Sequence, residues 1–127
     1  MTLGDDILPK PLTKKELHQL AMNIVGEELI KSGFEFLSVN SKLQKDPQFV
    51  CLKKKKLYFV IVRAIEYPNE PNIIDKTIIE KLKTHAKNFK ATLFSAGVGL
   101  ANAENYELPI FKNSNYAINF KGRKKIN

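Results

Sequence analysis

Apolar residues recur at helical spacing in the first third of the chain. They form one stripe that predicts an amphipathic helix: Leu17, Leu20, Ala21, Ile24 and Val25. Thr13 is a favourable N-cap, and Glu16 three positions later completes a capping-box pattern. The helix is therefore expected to run to about Ser32, with Gly33 as the residue that ends it.

Three segments with strand-like composition follow this helix. They are FEFLSVN (34–40), PQFVCL (47–52) and LYFVIVRAI (57–65). A lysine-rich turn at 53–56 joins the second and third segments as a hairpin. The third segment is almost wholly apolar and rich in β-branched and aromatic residues, which predicts a central strand that is covered on both faces.

The second half of the chain predicts another helix and further strands. Asp75 caps a helix that is expected to reach about Lys90, with Ile78, Leu82, Ala86 and Phe89 on its packing face. ATLFSAGVGLA (91–101) predicts a strand that leads into a glycine-containing bend, and NYAINF (115–120) predicts a short last strand. The resulting order, α-β-β-β-α-β with an extra β, is typical of a mixed sheet with helices packed on it, in the α/β or α+β class.

The chain length predicts one domain, at residues 13–127, with a basic C-terminal tail. Residues 1–12, which include Pro9 and Pro11, are expected to form a flexible N-terminal arm. No apolar run approaches the roughly 18 residues of a membrane span, so no membrane insertion is expected. The acidic N-terminus lacks the apolar core of a secretory signal, which favours a cytoplasmic protein.

The one cysteine, Cys51, lies in an apolar segment and is interpreted as a small buried hydrophobe. A single cysteine excludes multi-cysteine zinc and iron–sulfur sites. The two histidines, His18 and His85, stand near no nucleophile motif and are interpreted as structural or surface residues.

The net charge of +8 changes the functional picture, because such an excess is typical of proteins that meet phosphates or acidic surfaces. We therefore expect contact with DNA or RNA, and a lysine-rich solvated surface is the alternative. The candidate contacts are the basic residues of the hairpin, the third strand and the tail: Lys53, Lys54, Lys55, Lys56, Arg63, Arg123, Lys124 and Lys125. Few aromatic residues stand among them, so base-specific recognition is not indicated.

Spacing and hydrophobic rhythm over about residues 25–98 resemble the PD-(D/E)XK restriction-endonuclease-like superfamily. Gly33-Phe34 matches the end of that family's first helix, and Asn40 matches the end of its first strand. PQFVCL takes the place of its GEIDLI-like strand, and FVIVR (59–63) the place of its FVEVK-like strand. The resemblance implies a mixed sheet with flanking helices.

In that family, an acid on each hairpin strand holds Mg²⁺, and a lysine follows the second acid. The two acid positions fall here at Val50 and Ile61, the lysine position at Arg63, and a helix glutamate position near Met22. The resemblance therefore implies an inactive nuclease-fold protein with no metal site, which binds a partner, above all nucleic acid. Gln48 and Arg63 are the polar remnant of its site.

An alternative is a nuclease whose acids have moved to Glu28 and Asp46, near Arg63, and this alternative alone would need Mg²⁺. Glu28 falls near the middle of the helix stripe. A carboxylate there must be paired, must line a cavity or must reach solvent at the helix end.

A further alternative is an assembly module, in which the hairpin edge or the third strand pairs across a homodimer. The chain is also similar to short bacterial proteins named after the flavin-containing component of the sodium-translocating NADH–quinone reductase. That component combines a membrane anchor, flavin and a four-cysteine iron–sulfur cluster. One cysteine and the short chain predict neither flavin nor cluster here, which leaves an accessory role in a larger complex.

Overall fold

A computed structural model describes residues 10–71 and 74–127 as a mixed α/β domain. Within these residues the order of elements is α1 (Lys14–Lys31), β1 (Glu35–Val39), β2 (Phe49–Lys53), β3 (Lys56–Glu66), α2 (Lys76–Asn88), β4 (Thr92–Asn102), β5 (Tyr116–Asn119) and β6 (Lys124–Lys125). The predicted succession of helix, three strands, helix and strand is confirmed. The predicted extra strand is β5, and a second short strand, β6, follows it.

The start and the end of α1 lie where the sequence places them. Thr13 and Glu16 form the reciprocal capping box, because each side chain accepts a hydrogen bond from the other residue's backbone N–H. Ser32 is the C-cap, and Gly33 follows with a positive φ of 87°. The buried face is rotated from the predicted stripe, since it includes His18 and Met22.

The second helix begins at its predicted cap, where Asp75 accepts a hydrogen bond from the Thr77 N–H at 2.7 Å. Leu82 and Ala86 are buried on the sheet as expected. The sequence also predicts Phe89 on this packing face, but Phe89 lies beyond the last turn and is 57% exposed.

The sheet has the order β1-β2-β3-β4-β5, and the β3–β4 pair is parallel while the other pairs are antiparallel. The central position of β3 is confirmed, and Val60, Ile61 and Val62 are fully buried. Because β3 pairs with β2 and β4, and β2 also pairs with β1, the two surfaces predicted for pairing across a homodimer are already paired within the chain.

Side chains of β3 alternate between two apolar layers. Val60 and Val62 belong to the cluster formed with the buried face of α1, whereas Phe59 and Ile61 belong to the cluster formed with α2. Since successive residues of a strand point to opposite faces, the two helices cover opposite faces of the sheet.

Both described ends of the chain join the sheet or its loops. Residues up to 9 of the predicted arm lie outside the described residues, but Leu12 N–H bonds the Ile110 carbonyl at 2.8 Å. The sequence predicts a C-terminal tail that is solvated or contacts phosphate. In the structure the backbone of β6 pairs with Phe94 and Ser95 of β4 while its lysine side chains stay exposed, and the Asn127 side chain accepts a hydrogen bond from the Leu93 N–H.

Candidate functional site

The two polar residues predicted as the remnant of a site, Gln48 and Arg63, belong to one hydrogen-bonded cluster beside β3. Arg63 donates two hydrogen bonds to Asp46, Nη1 to Oδ1 and Nη2 to Oδ2, each 2.7 Å long. The side chains of Arg63 and Asp46 are only 16% and 11% exposed. This paired geometry is the strong, orientation-specific form of an arginine–carboxylate contact.

Gln48 connects the ion pair to the sheet. It is fully buried, its Oε1 accepts a hydrogen bond from the Val62 N–H at 2.7 Å, and its Nε2 donates to Asp46 Oδ1 at 2.8 Å. Since β2 begins only at Phe49, the Gln48 side chain satisfies a β3 backbone group beyond the end of that strand. Burial is the largest single influence and favours a higher pKa for Asp46, but the hydrogen bonds from Arg63 and Gln48 together with the positive charge of Arg63 hold that pKa below its usual value.

His18 of α1 faces this cluster. The residue is 3% exposed, and its Nε2 has no hydrogen-bond partner in the described part of the chain. Burial, and then the positive charge of Arg63, lower the pKa of His18. The imidazole is therefore neutral near pH 7, beside a shallow cleft of about 240 Å³ that Arg63, Lys14 and Glu66 also line.

The charge of Arg63 is neutralised inside the fold, so this residue is not free to take a phosphate. Its nucleic-acid role, predicted from sequence, is not supported by this geometry. The cluster of Asp46, Gln48 and Arg63 instead fixes the loop before β2 against the edge of β3.

Glu28 does not join this cluster. It binds Arg123 through hydrogen bonds of 2.5 and 2.7 Å, and the Arg123 guanidinium lies over the rings of Phe34 and Phe94. Ten residues of α1 separate Glu28 from His18, a rise of about 15 Å. The structure thus brings together Asp46 and Arg63 of the predicted site but not Glu28. Arg123 is also engaged with a carboxylate, through its Nη1 alone.

The two positions that the sequence resemblance assigns to metal-binding acids, Val50 and Ile61, lie in an apolar environment. Ile61 is fully buried, and Val50 packs against the same cluster under α2. In residues 10–71 and 74–127, no three His, Cys, Asp or Glu side chains are grouped as a metal site would require. Cys51 is fully buried, and burial raises the pKa of its thiol to about 11, so it stays protonated.

The hairpin lysines behave differently from the two arginines. Lys53 Nζ donates to the Ser32 carbonyl at 2.6 Å, but Lys54, Lys55 and Lys56 are exposed at the hairpin tip. Lys90 lies at the same end of the sheet, because Tyr58 of β3 pairs with Thr92 of β4 and the residues before them run side by side. We call these four exposed residues, Lys54, Lys55, Lys56 and Lys90, the basic end. Lys124 and Lys125 are also exposed, on β6 at the sheet edge.

The backbone of the basic end is unusual. Lys54 and Lys55 form the two-residue turn between β2 and β3, with φ values of 51° and 65°. Lys90 also has a positive φ, 54°, just after α2. Sequence reasoning missed Lys90 as part of this group, because it placed Lys90 at the end of the predicted second helix, whereas α2 ends at Asn88.

The fold and these sites define a mixed α/β domain with an internal arginine–carboxylate cluster and an exposed lysine-rich end. No helix in the described ranges is long and apolar enough to cross a membrane. Residues 15–126 match the family described as a domain of unknown function, DUF8840, and the chain belongs to that family. No curated protein and no solved structure matches the chain.

Proposed function

We propose that this domain binds nucleic acid through its basic end, on a restriction-endonuclease-like fold that has lost its metal chemistry. The observation that carries the proposal is the pair of lysines in left-handed backbone conformations at an exposed hairpin tip. A phosphate backbone is the ligand that such a group of exposed ammonium groups suits.

The hairpin turn is not optimised for stability. Two-residue turns with positive φ at both positions strongly favour Asn-Gly, since a left-handed conformation costs about 1–2 kcal/mol for a residue with a Cβ. Lys54 and Lys55 occupy both positions. Strained residues that persist at an exposed tip support a role outside the folded chain.

The arrangement of elements supports the proposed frame. The order α1-β1-β2-β3-α2-β4 is the one that the resemblance implies, with the antiparallel hairpin β2–β3 at its centre. Val50 and Ile61 stand at the positions of the two acids, in the apolar cluster beneath α2. Because these apolar residues cannot hold Mg²⁺, we expect the domain to bind nucleic acid without cleaving it.

The contacts suit phosphates and one stacked base rather than base-pair edges. Phe89 directly precedes Lys90 and is 57% exposed. Its ring packs beside the ring of Phe59, which lies three residues after Lys56 on β3. Because bases of a single strand stack on exposed aromatic rings, we expect single-stranded DNA or RNA to bind better than duplex.

The test is fluorescence anisotropy at low salt with labelled single-stranded DNA, RNA and duplex DNA. We expect Lys54→Gln/Lys55→Gln to weaken single-strand binding about tenfold, because two phosphate contacts are lost. The matched control is Lys14→Gln/Lys15→Gln, which removes the same charge from the exposed start of α1. Undetectable binding by the unaltered protein, or equal losses in both variants, would refute the proposal.

A further inference from the structure

A second concave site lies at the opposite end of the sheet from the basic end. It is a cleft of about 330 Å³ where β3 ends, with Tyr67 and Tyr106 as its walls. Gly99 and Ala101 of β4 form part of its floor, and Ile118 of β5 borders it. The residues of the basic end do not line this cleft.

The cleft is held open by its own loops. A Cβ on Gly97 would lie 1.6 Å from the Pro71 carbonyl oxygen, so glycine is required for the loop after β3 to rest on β4. On the other side, Asn102 is 4% exposed, accepts hydrogen bonds from the N–H groups of Glu104 and Asn105, and donates to the Pro109 carbonyl. Both walls are therefore positioned before any ligand arrives.

The two tyrosines line the cleft, and their rings pack against each other. Their ring centroids are 5.3 Å apart with an interplanar angle of 60°, and the residues are 46% and 51% exposed. Aromatic faces carry negative potential and attract ammonium or guanidinium groups.

The charge around the cleft has the opposite sign to the charge of the whole chain. Residues 67–71, 99–108 and 116–119 contain three glutamates and neither lysine nor arginine: Glu70, Glu104 and Glu107. Their formal charge is −3, whereas the whole chain carries +8. All three glutamates are exposed in the segments that line the cleft, so they favour a cationic ligand there.

The open edge of β5, beside the cleft, favours a peptide as the ligand that supplies the cationic side chain. In the described ranges β5 pairs only with β4, which leaves its other edge open, and Ile118 is 50% exposed. An extended segment can add to such an edge through main-chain hydrogen bonds. We infer that the cleft binds a lysine or arginine side chain of an extended partner peptide, with the cation against the paired rings of Tyr67 and Tyr106 and near the glutamates.

The test is a heteronuclear NMR titration with a short, blocked threonine–alanine peptide that has one central lysine. The same peptide with a central glutamate, and spermidine, are the comparison probes. We expect the lysine peptide to shift the amide signals of 99–101 and 116–119. Tyr106→Ala should weaken binding about fivefold, whereas Tyr106→Phe keeps the ring and should retain the affinity.

Variants that remove charge distinguish an effect of the cleft glutamates from an effect of the overall charge of the protein. Glu104→Gln/Glu107→Gln should also weaken binding severalfold, while Glu27→Gln/Glu80→Gln, with the same charge change on the two helices, should leave it unchanged. Binding of the glutamate peptide as tight as that of the lysine peptide, or binding insensitive to Tyr106 and the cleft glutamates, would overturn the inference. Spermidine shifting the cleft signals while the lysine peptide does not would overturn the assignment to a peptide.

Discussion

Both arginines of the chain, Arg63 and Arg123, contact carboxylates inside the fold. The guanidinium fork of Arg63 matches the carboxylate of Asp46, whereas Arg123 places Nη1 against both oxygens of Glu28. Each pair connects segments that are far apart in the sequence. The exposed positive charge at the hairpin tip belongs to Lys54, Lys55 and Lys56, while Lys53 bonds the Ser32 carbonyl. Both arginines are thus structural cations, and the tip lysines remain available to a ligand.

Asp46→Asn tests the structural role of the first pair. The variant leaves Arg63 partly buried without a counter-charge, and we expect a loss of about 2–4 kcal/mol in the free energy of unfolding. Urea denaturation measures this loss. The control is Glu80→Gln, which removes an exposed pair with Lys83 and should cost below about 0.5 kcal/mol. Equal small effects of both variants would contradict the structural assignment.

The lowered pKa of His18 makes the free energy of unfolding decrease as the pH falls. The folded state lowers the pKa of His18, so the unfolded chain takes up more protons as the pH falls through about 6.5. The contribution of His18 is complete above that pH and declines below it. The lowered pKa of Asp46 acts at more acidic pH, where protonation removes its share of stability.

We therefore expect the free energy of unfolding to fall between about pH 7.5 and pH 5, and His18→Gln to flatten that slope. Urea denaturation at several pH values gives the measurement, and His85→Gln at an exposed position is the control. An unchanged slope in His18→Gln would show that the buried imidazole does not couple folding to protons.

At the scale of elements, the β2–β3 hairpin departs most clearly from local preference. Lys54→Asn/Lys55→Gly would place the favoured residues at both left-handed positions, and we expect about 1–2 kcal/mol of added stability. Thermal and urea unfolding measure this gain. The same variant should bind nucleic acid less well. A loss of stability would show that the turn is not strained.

Local patterns predicted the elements whose signals are contained within a few residues. The Thr13–Glu16 capping box and the Asp75 cap give the starts of both helices, and the apolar run of 57–65 identifies the central strand. Short strands were harder to predict from the sequence. The two lysines of β6 have no strand-like pattern, and they form a strand because they pair with the edge of β4. The predicted bend near Gly97 is absent: β4 continues to Asn102, and the glycine serves the approach of Pro71.

The candidate sites were predicted only in part, for the same reason. The sequence analysis grouped Gln48 with Arg63 and, as an alternative, Asp46 with Arg63, and the structure brings all three together because the loop before β2 covers the edge of β3. Neither arginine–carboxylate pair could be inferred from spacing, since Asp46–Arg63 and Glu28–Arg123 join distant segments. The cleft of Tyr67 and Tyr106 likewise exists only after β3, β4 and β5 are assembled.

At the scale of the whole molecule, charge is divided between the two ends of the sheet. The basic end lies where β3 begins, and the three cleft glutamates lie in the segments near its other end. With a net charge of +8, this division favours an anionic partner at one end and a cationic one at the other. The two proposed binding surfaces would let one domain connect nucleic acid to a partner protein.

The most direct test of the central claim is the salt dependence of single-strand binding. For the unaltered protein, the logarithm of the association constant should fall linearly with the logarithm of salt concentration. Lys54→Gln/Lys55→Gln should reduce the magnitude of that slope by about 1.4, which corresponds to two phosphate contacts at about 0.7 each, and Lys14→Gln/Lys15→Gln should not reduce it. A slope that stays the same when Lys54 and Lys55 are replaced would contradict binding through the basic end.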